Sequence, residues 1–597
     1  MTIAPFNAST YVADRNTANL VGLKGRLDTL TTQLSTGRAA DSYGGLGSAR
    51  TTSLSAHAAL SALDGYDSAI TGATTRVTLA SAAVTQISTL GNNLQKTLSA
   101  TNGSTFTNTS QIASNSLDAA VDALNQSAAG QYVFGGRATD QAPVVSSDTI
   151  LNGNTLAGLD GLKTLIQQQK AADLGPNANG RIATAVSGQT VTVSEEGSGS
   201  AGTETRANFG FRLLGATSSN PSAISAGATT AATAPDVSFT LAAAPQDGDK
   251  IRVAVNQADG SQSFVDLTAK AGPSDGSPNT IPVPTTAAAT ATFLNTRFAG
   301  AAVASIQGAP QLGLSANFST GTPAQVAVAV NTTPNVGDTV TFNLALRDGT
   351  TQAITLTAAA TADATSTTAF STTGDVATNI SNALANALKG AAATTLSASS
   401  ASRATQDFFA GSKSAGLAPR RISADGNGYA EQASTKTVIW YTGDDTSTDP
   451  RATATVQATA TRSLDIGVQA NEAPIRSVLA GIALVAAESF TTAASGSADA
   501  TRYNAVADRS RVLLGSKDGN SGIQGIASDL GLAASDLQDT QTQNRTTRAA
   551  LQDSLDGVDT VSAESVTAQL LQLQTQLQAS YQVTSMLSKL TLVSYLG

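Results

Sequence analysis

The sequence predicts an α+β multidomain chain. Its N- and C-terminal arms are expected to pair as an antiparallel helical coiled-coil core, with β-rich outer modules inserted between them. Three observations predict this: the placement of proline, apolar heptads at both ends, and a duplicated hairpin pattern in the middle. Of 16 prolines, Pro5 stands alone and the rest lie between Pro143 and Pro474. Proline costs about 3 kcal/mol inside a helix, so the proline-free arms 6–142 and 475–597 suit long helices. The middle is dense in Gly, Pro, Thr and Asp-Gly, which reads as strands joined by turns.

In the N-terminal arm, Leu20, Leu23, Leu27, Leu30 and Leu34 fall at steps of 3, 4, 3 and 4. A glycine break follows at Tyr43-Gly44-Gly45-Leu46-Gly47. The same alternation then runs through Leu63, Tyr66, Ile70, Ala73, Val77, Ala80, Val84, Ile87, Gly91, Leu94 and Leu98. Strict 3/4 stepping marks a narrow seam for a partner helix. A third helical segment surrounds Ile112, Leu117, Val121 and Leu124. The C-terminal arm carries Val566, Leu570, Leu573 and Leu577, and then Leu587, Leu590, Val593 and Leu596, with glutamines on its other sides. Such stripes also suit the core of an ordinary bundle. The pairing reading rests on their running nearly to both termini, as far as Tyr595 and Leu596, where chain ends usually fray.

The middle contains a duplication. GDKIRVAVNQADGSQSFVDLTAKA begins at Gly248, and GDTVTFNLALRDGTTQAITLTAAA at Gly337. Each copy alternates apolar and polar residues on both sides of an Asp-Gly turn, a hairpin signal. Helical runs are expected after each hairpin, near Phe293–Ile306 and Val376–Leu388. The predicted organisation is therefore an N-terminal helical arm, 1–142; a β-rich part of an inner domain, 143–234; outer modules 235–322 and 323–415; a return β segment, 416–474; and a C-terminal helical arm, 475–597.

Composition excludes much chemistry. Without cysteine there is no disulfide, thiol nucleophile, Cys-zinc site or iron–sulfur cluster. The single histidine, His57, has no evident partner and is expected on a helix surface or seam. No phosphate-binding loop occurs, and Gly44–Gly47 reads as a break between seams. Asp247-Gly248-Asp249 and Asp444-Asp445 lack the alternating ligands of a calcium loop. Glu195-Glu196 point apart if extended, and Trp440 reads as a core anchor. No enzyme, metal or cofactor is expected. Lys+Arg number 34 against Asp+Glu 43, a net charge of −9. That balance argues against binding duplex DNA or an anionic membrane. The longest apolar run, 478–487, is far short of the roughly 20 residues of a membrane span. The opening residues lack the basic and apolar regions of a cleavable signal. Charged residues are only 13%, against about 25% in ordinary domains. A surface of small neutral groups suits self-packing.

Leu34-Ser35-Thr36-Gly37-Arg38 resembles an element that ends the first long helix in the flagellin family, which includes flagellins and the hook–filament junction protein. Gln131-Tyr132-Val133-Phe134-Gly135-Gly136, with Thr139-Asp140 and Pro143, resembles the segment leaving the helical arm, closer to the junction-protein version. Leu577-Gln578-Ala579-Ser580-Tyr581-Gln582-Val583-Thr584 through Leu590 and Tyr595-Leu596 leans the same way. The length and duplicated middle lean instead to a filament subunit, and the loop at 43–47 departs from the family's usual turn. The resemblance covers a little under half the chain. It implies a bacterial flagellar structural protein, exported unfolded without a cleaved signal through the type III apparatus. Its terminal helices would form the core of an extracellular homopolymer for motility. Other hook-associated and cap proteins and an export chaperone are the implied partners, with no nucleic acid and no membrane insertion. The junction protein, forming a single ring between hook and filament, is the alternative, and a surface adhesin the rival from another class.

Overall fold

The computed structural model describes residues 8–99, 106–197, 199–272, 276–414, 416–490, 497–515 and 519–595. Helix makes up 50% and strand 19%, an α+β mixture. In chain order come α1 (Ala8–Thr36), a 3-10 turn (Tyr43–Ala49), α2 (Arg50–Ser99) and α3 (Phe106–Leu124). Short strands β1 (Ser127–Ala128) and β2 (Gln131–Tyr132) lead to α4 (Ser147–Asn152), β3 (Gly153–Asn154) and β4 (Leu159–Asp160). Next are α5 (Leu162–Leu174), β5 (Ile182–Ser187), β6 (Thr190–Glu195), α6 (Gly199–Asn208), β7 (Arg212–Ser218) and β8 (Ile224–Ala226). The first repeat holds β9 (Val237–Thr240), β10 (Lys250–Asn256), β11 (Gln262–Ala271), β12 (Thr280–Val283), α7 (Ala287–Arg297), β13 (Val303–Gly308) and β14 (Ser315–Phe318). The second holds β15 (Gln325–Val330), β16 (Thr339–Ala345), β17 (Thr351–Ala359), β18 (Ala369–Ser371) and α8 (Val376–Ala391). Helices α9 (Ser397–Ala410), α10 (Ala473–Ala487), α11 (Ala498–Gly515), α12 (Asn520–Asp559) and α13 (Ala563–Tyr595) follow. The chain forms two units. One is Met1–Thr74, Val456–Leu464 and Ala534–Gly597; the other is Thr75–Thr455 with Asp465–Ala533.

In the larger unit the duplication is visible strand by strand. The first repeat has the sheet order β12-β11-β10-β13, and the second β18-β17-β16-β7. Both Asp-Gly hairpins form, β10 with β11 and β16 with β17. Both carry a parallel fourth strand, starting from Thr268 and Thr357. Register breaks after Ala254 in one copy and after Asn343 in the other, at the same offset from Asp249 and Asp338. Asp249 accepts from the Gln246 amide at 2.9 Å, and Asp338 from the Asn335 amide at 2.8 Å. Each following helix is capped at the matching position, by Thr286 in α7 and Asp375 in α8. Those cap oxygens satisfy amides that have no partner within the helix.

The predicted module boundaries need correction here. The span 323–415 is not a self-contained copy, because its sheet is completed by β7 from the preceding segment. Strand β15 likewise pairs with β6 and β8, both upstream. The whole first repeat is therefore inserted between β8 and β15 of the second. Paired backbone holds the ends of that insert together: the Thr233 amide donates to the Thr322 carbonyl at 3.0 Å, and Ser319 to Asp236 at 2.8 Å. Two further expectations change. Segment 143–234 contains α4, α5 and α6 as well as strands, and the run expected to be helical to Ile306 stops at Arg297, with Val303–Gly308 forming β13. Strand β13 is buried at every position, so its apolar residues carry no helical alternation.

Helix α9, inside the predicted second module, packs instead against α5, α10 and α11. Helix α10 is apolar almost all round and buried from Val478 to Ala486, as expected of a central helix. Gly481 permits this packing, since a Cβ there would lie 2.8 Å from Leu514 Cγ of α11. Trp440 is fully buried, as expected of an anchor. Its indole N–H donates to the Phe409 carbonyl at 2.9 Å.

Glu204 is expected to contribute to the pH dependence of this unit's stability, beside Glu472, whose pKa burial also raises. Burial, reinforced by Asp425 and Glu431, pushes Glu204 up to about 7. A raised acid favours its protonated form in the folded chain. Its contribution is complete below the unfolded value of 4.5 and is lost as pH rises through 7. Discounted for partial exposure, the expected loss between pH 5 and 8 is on the order of 1–2 kcal/mol. Urea midpoints should show that slope, and Glu204→Gln should flatten it. An unchanged slope in the variant would exclude Glu204 as the cause.

Candidate assembly surface

In the smaller unit, the end of α1 meets the start of α13. Gly37, at φ 69°, ends α1 in the left-handed conformation that glycine adopts without strain. Its amide donates to the Gln33 carbonyl at 2.8 Å. Arg38 and Thr560 form an antiparallel bridge, the Ala39 amide donates to Asp559 at 2.8 Å, and the Val561 amide to Gly37 at 3.1 Å. From this tie α1 packs against α13. Beside it His57 Nε2 lies 2.9 Å from Asp559 Oδ2. The lone histidine, exposed on a helix surface, therefore has a partner, one that lies 502 residues away in sequence.

The seam residues divide into three groups by burial. Ile70, Val77, Val84, Ile87 and Leu94 of α2 are fully buried, as are Val566 and Leu573 of α13. Leu20, Leu23, Leu27 and Leu30 of α1, with Leu570 and Leu577 of α13, are half-buried. Leu34 departs from the expected seam, exposed at 42%; it falls in the last turn of α1. The side chains of Leu587 and Leu590 lie outside the described residues.

A further stripe escaped sequence reasoning. Helix α12 buries Ile523, Ile526, Leu530 and Leu537, then continues through Thr540 and Asn544. The steps remain helical, but polar residues occupy the later positions, so an apolar-only reading loses them. They face the Val456–Leu464 segment: Asn544 donates to the Ala458 carbonyl at 3.1 Å, and the Arg462 guanidinium donates to Thr540 Oγ1 at 3.2 Å. Arg462 also pairs with Asp536 at 3.1 Å. Arg548 meets Asp64 and Asp67 of α2 at 2.7 and 2.8 Å. The buried members, Thr540 and Asn544, are the ones that fix register where apolar contacts alone would allow sliding; the ion pairs lie towards solvent.

The α1–α13 pair differs from these interiors. On α13, Leu571 is 58% exposed and Met586 62%, with Tyr581 and Val583 similarly open; on α1, Val21 is 67% exposed and Tyr11 57%. Two helices side by side cover only one flank of each. Apolar side chains on the remaining flanks form the candidate surface. Among the described residues, no group of three His, Asp or Glu side chains converges to hold a metal ion. No described helix is long and apolar enough to cross a membrane.

Comparison with protein-family models and with curated protein sequences finds no match to this chain.

Proposed function

We propose that this protein is a structural subunit of a bacterial flagellum, self-assembling through α1 and α13 into an extracellular helical filament for motility. The observation that carries the reading is the apolar flank left uncovered on the α1–α13 pair. Isolated helices gain most of their stability from packing, so neighbouring copies would supply the missing contacts. The contacts would be head-to-tail, because only heterologous interfaces that do not close on themselves extend without limit. The fit of Leu34–Arg38 to the end of α1 agrees with the resemblance of that motif. In this reading the paired arms make a coiled-coil polymer core and the two repeats decorate its outer side. Export would be by the type III route with a chaperone, and hook-associated and cap proteins would be the neighbours in assembly.

The C-terminal motif favours a second reading, the hook–filament junction protein, which would use the same surface in a single ring. Quantitative mass spectrometry of sheared, purified flagella separates the two. A filament subunit should dominate the mass, whereas a junction protein should be a trace component at ring stoichiometry. Absence from the flagella would overturn both.

A further inference from the structure

The insertion of one repeat into the other leaves a half-open pocket of about 550 Å³ with an unusual charge. Three arginines, Arg206, Arg212 and Arg347, and one acid, Glu195, are among its lining residues, and Asp259 stands close to Arg212. Asn256 and Gln257 of the first repeat complete the polar lining. In a chain of net charge −9, that excess of positive charge is local. Arg206 serves the fold, donating to the Gly321 carbonyl at 2.9 Å. Glu195 is occupied as well, accepting the Leu213 amide at 2.9 Å.

The duplication shows that a hairpin of this kind also forms without the other two arginines. Arg212 pairs with Ala345 in the second repeat. At the matching place in the first repeat, Ala302 accepts the Asn256 amide at 2.8 Å. Arg347 precedes the Asp348-Gly349 turn as Ala258 precedes Asp259-Gly260. Ala302 and Ala258 line the same pocket. One repeat thus builds this hairpin with alanines, and the other presents arginines to the space the alanines leave.

Arg347 is 3% exposed. Its Nη2 donates to the Phe209 carbonyl at 3.2 Å and to the Arg206 carbonyl, while its buried Nε has no partner. Burial pushes this guanidinium down to about 10; Glu195 and, more weakly, Asp173 oppose the shift, and Arg403 and Arg212 add to it. A buried cation beside like charges is stabilised by an anion, and guanidinium forks match phosphate and carboxylate oxygens.

We infer that the pocket between the repeats binds a small oxyanion, a phosphate or carboxylate group on a compact polar molecule, through Arg212 and Arg347. The volume suits a small metabolite rather than a polymer. The inference does not depend on the assembly reading.

The test is calorimetric titration of the full-length protein with inorganic phosphate and, separately, acetate, at constant ionic strength. Saturable binding of either at one site per chain is expected, and which anion binds more tightly identifies the group. Arg212→Gln should weaken it at least about tenfold, and Arg212→Lys less. Leu214→Glu leaves every arginine in place and puts a negative charge on an exposed lining residue. It should weaken binding comparably, with an unchanged urea midpoint. No saturation by about 10 mM of either anion, or equal affinity in wild type, Arg212→Gln and Leu214→Glu, would overturn the site.

Discussion

Leu571→Asp is expected to leave the monomer folded and to abolish polymerisation. Leu571 lies on the open flank of α13, 58% exposed. A surface substitution there should change monomer stability by no more than about 0.5 kcal/mol. If neighbouring copies cover that flank, the carboxylate is buried without a partner at every interface, at several kcal/mol per subunit. Leu573→Asp is the contrasting variant, because Leu573 is already 6% exposed within the chain. It should disturb the α1–α13 pair itself as well as assembly, lowering monomer helicity. Leu570→Asp, at a half-buried position, should block assembly with an intermediate effect on the monomer. Sedimentation measures polymer, and circular dichroism with urea midpoints measures the monomer. Normal filaments from Leu571→Asp would show that this flank is not the contact. Loss of monomer structure in that variant would show that the flank is covered within one chain.

Much of this architecture was legible because period and punctuation are local properties. The run from Leu63 to Leu98 steps by three and four, and its members are buried in α2 apart from the half-buried Tyr66. The Asp-Gly turns at Asp259 and Asp348 lie between strands in the expected register. Nesting of one repeat in the other was not legible, because it depends on β7 pairing with β16 across more than a hundred residues. No local pattern distinguishes a hairpin completed by its own fourth strand from one completed by an earlier segment. The polar half of the α12 stripe was missed for a different reason. Thr540 and Asn544 are buried where the distant segment Val456–Leu464 supplies a guanidinium and a carbonyl to them, and hydropathy does not register such partners. The candidate surface was legible as a stripe, but its exposure was not, since exposure depends on what else packs beside the helices.

Arg420→Ala is expected to cost about 3–5 kcal/mol, the usual effect of breaking a buried ion pair from one side. Arg420 and Asp407 approach to 2.7 Å with side chains only 3% and 6% exposed. The guanidinium stacks 3.9 Å from the centre of the Tyr429 ring and 4.7 Å from that of Phe264. It also donates to Ser305 Oγ of β13 at 2.9 Å and to Gln262 Oε1 of β11 at 3.4 Å. One side chain thereby joins α9 to two strands of the inserted repeat. Truncation leaves Asp407 buried without its direct partner, with Arg252 and Arg403 as its remaining cationic neighbours, and releases the repeat from its base. Hydrogen exchange should therefore accelerate in β11 and β13 before it does in α10, whose core lies elsewhere in the unit. The double variant Arg420→Met with Asp407→Leu removes both charges and keeps most of the volume. Its stability should return to within about 1–2 kcal/mol of wild type. If it remains as unstable as Arg420→Ala, the stacking and hydrogen bonds to the repeat, rather than the stranded carboxylate, account for the loss. The attachment of the insert would then rest on arginine geometry that no apolar side chain can replace.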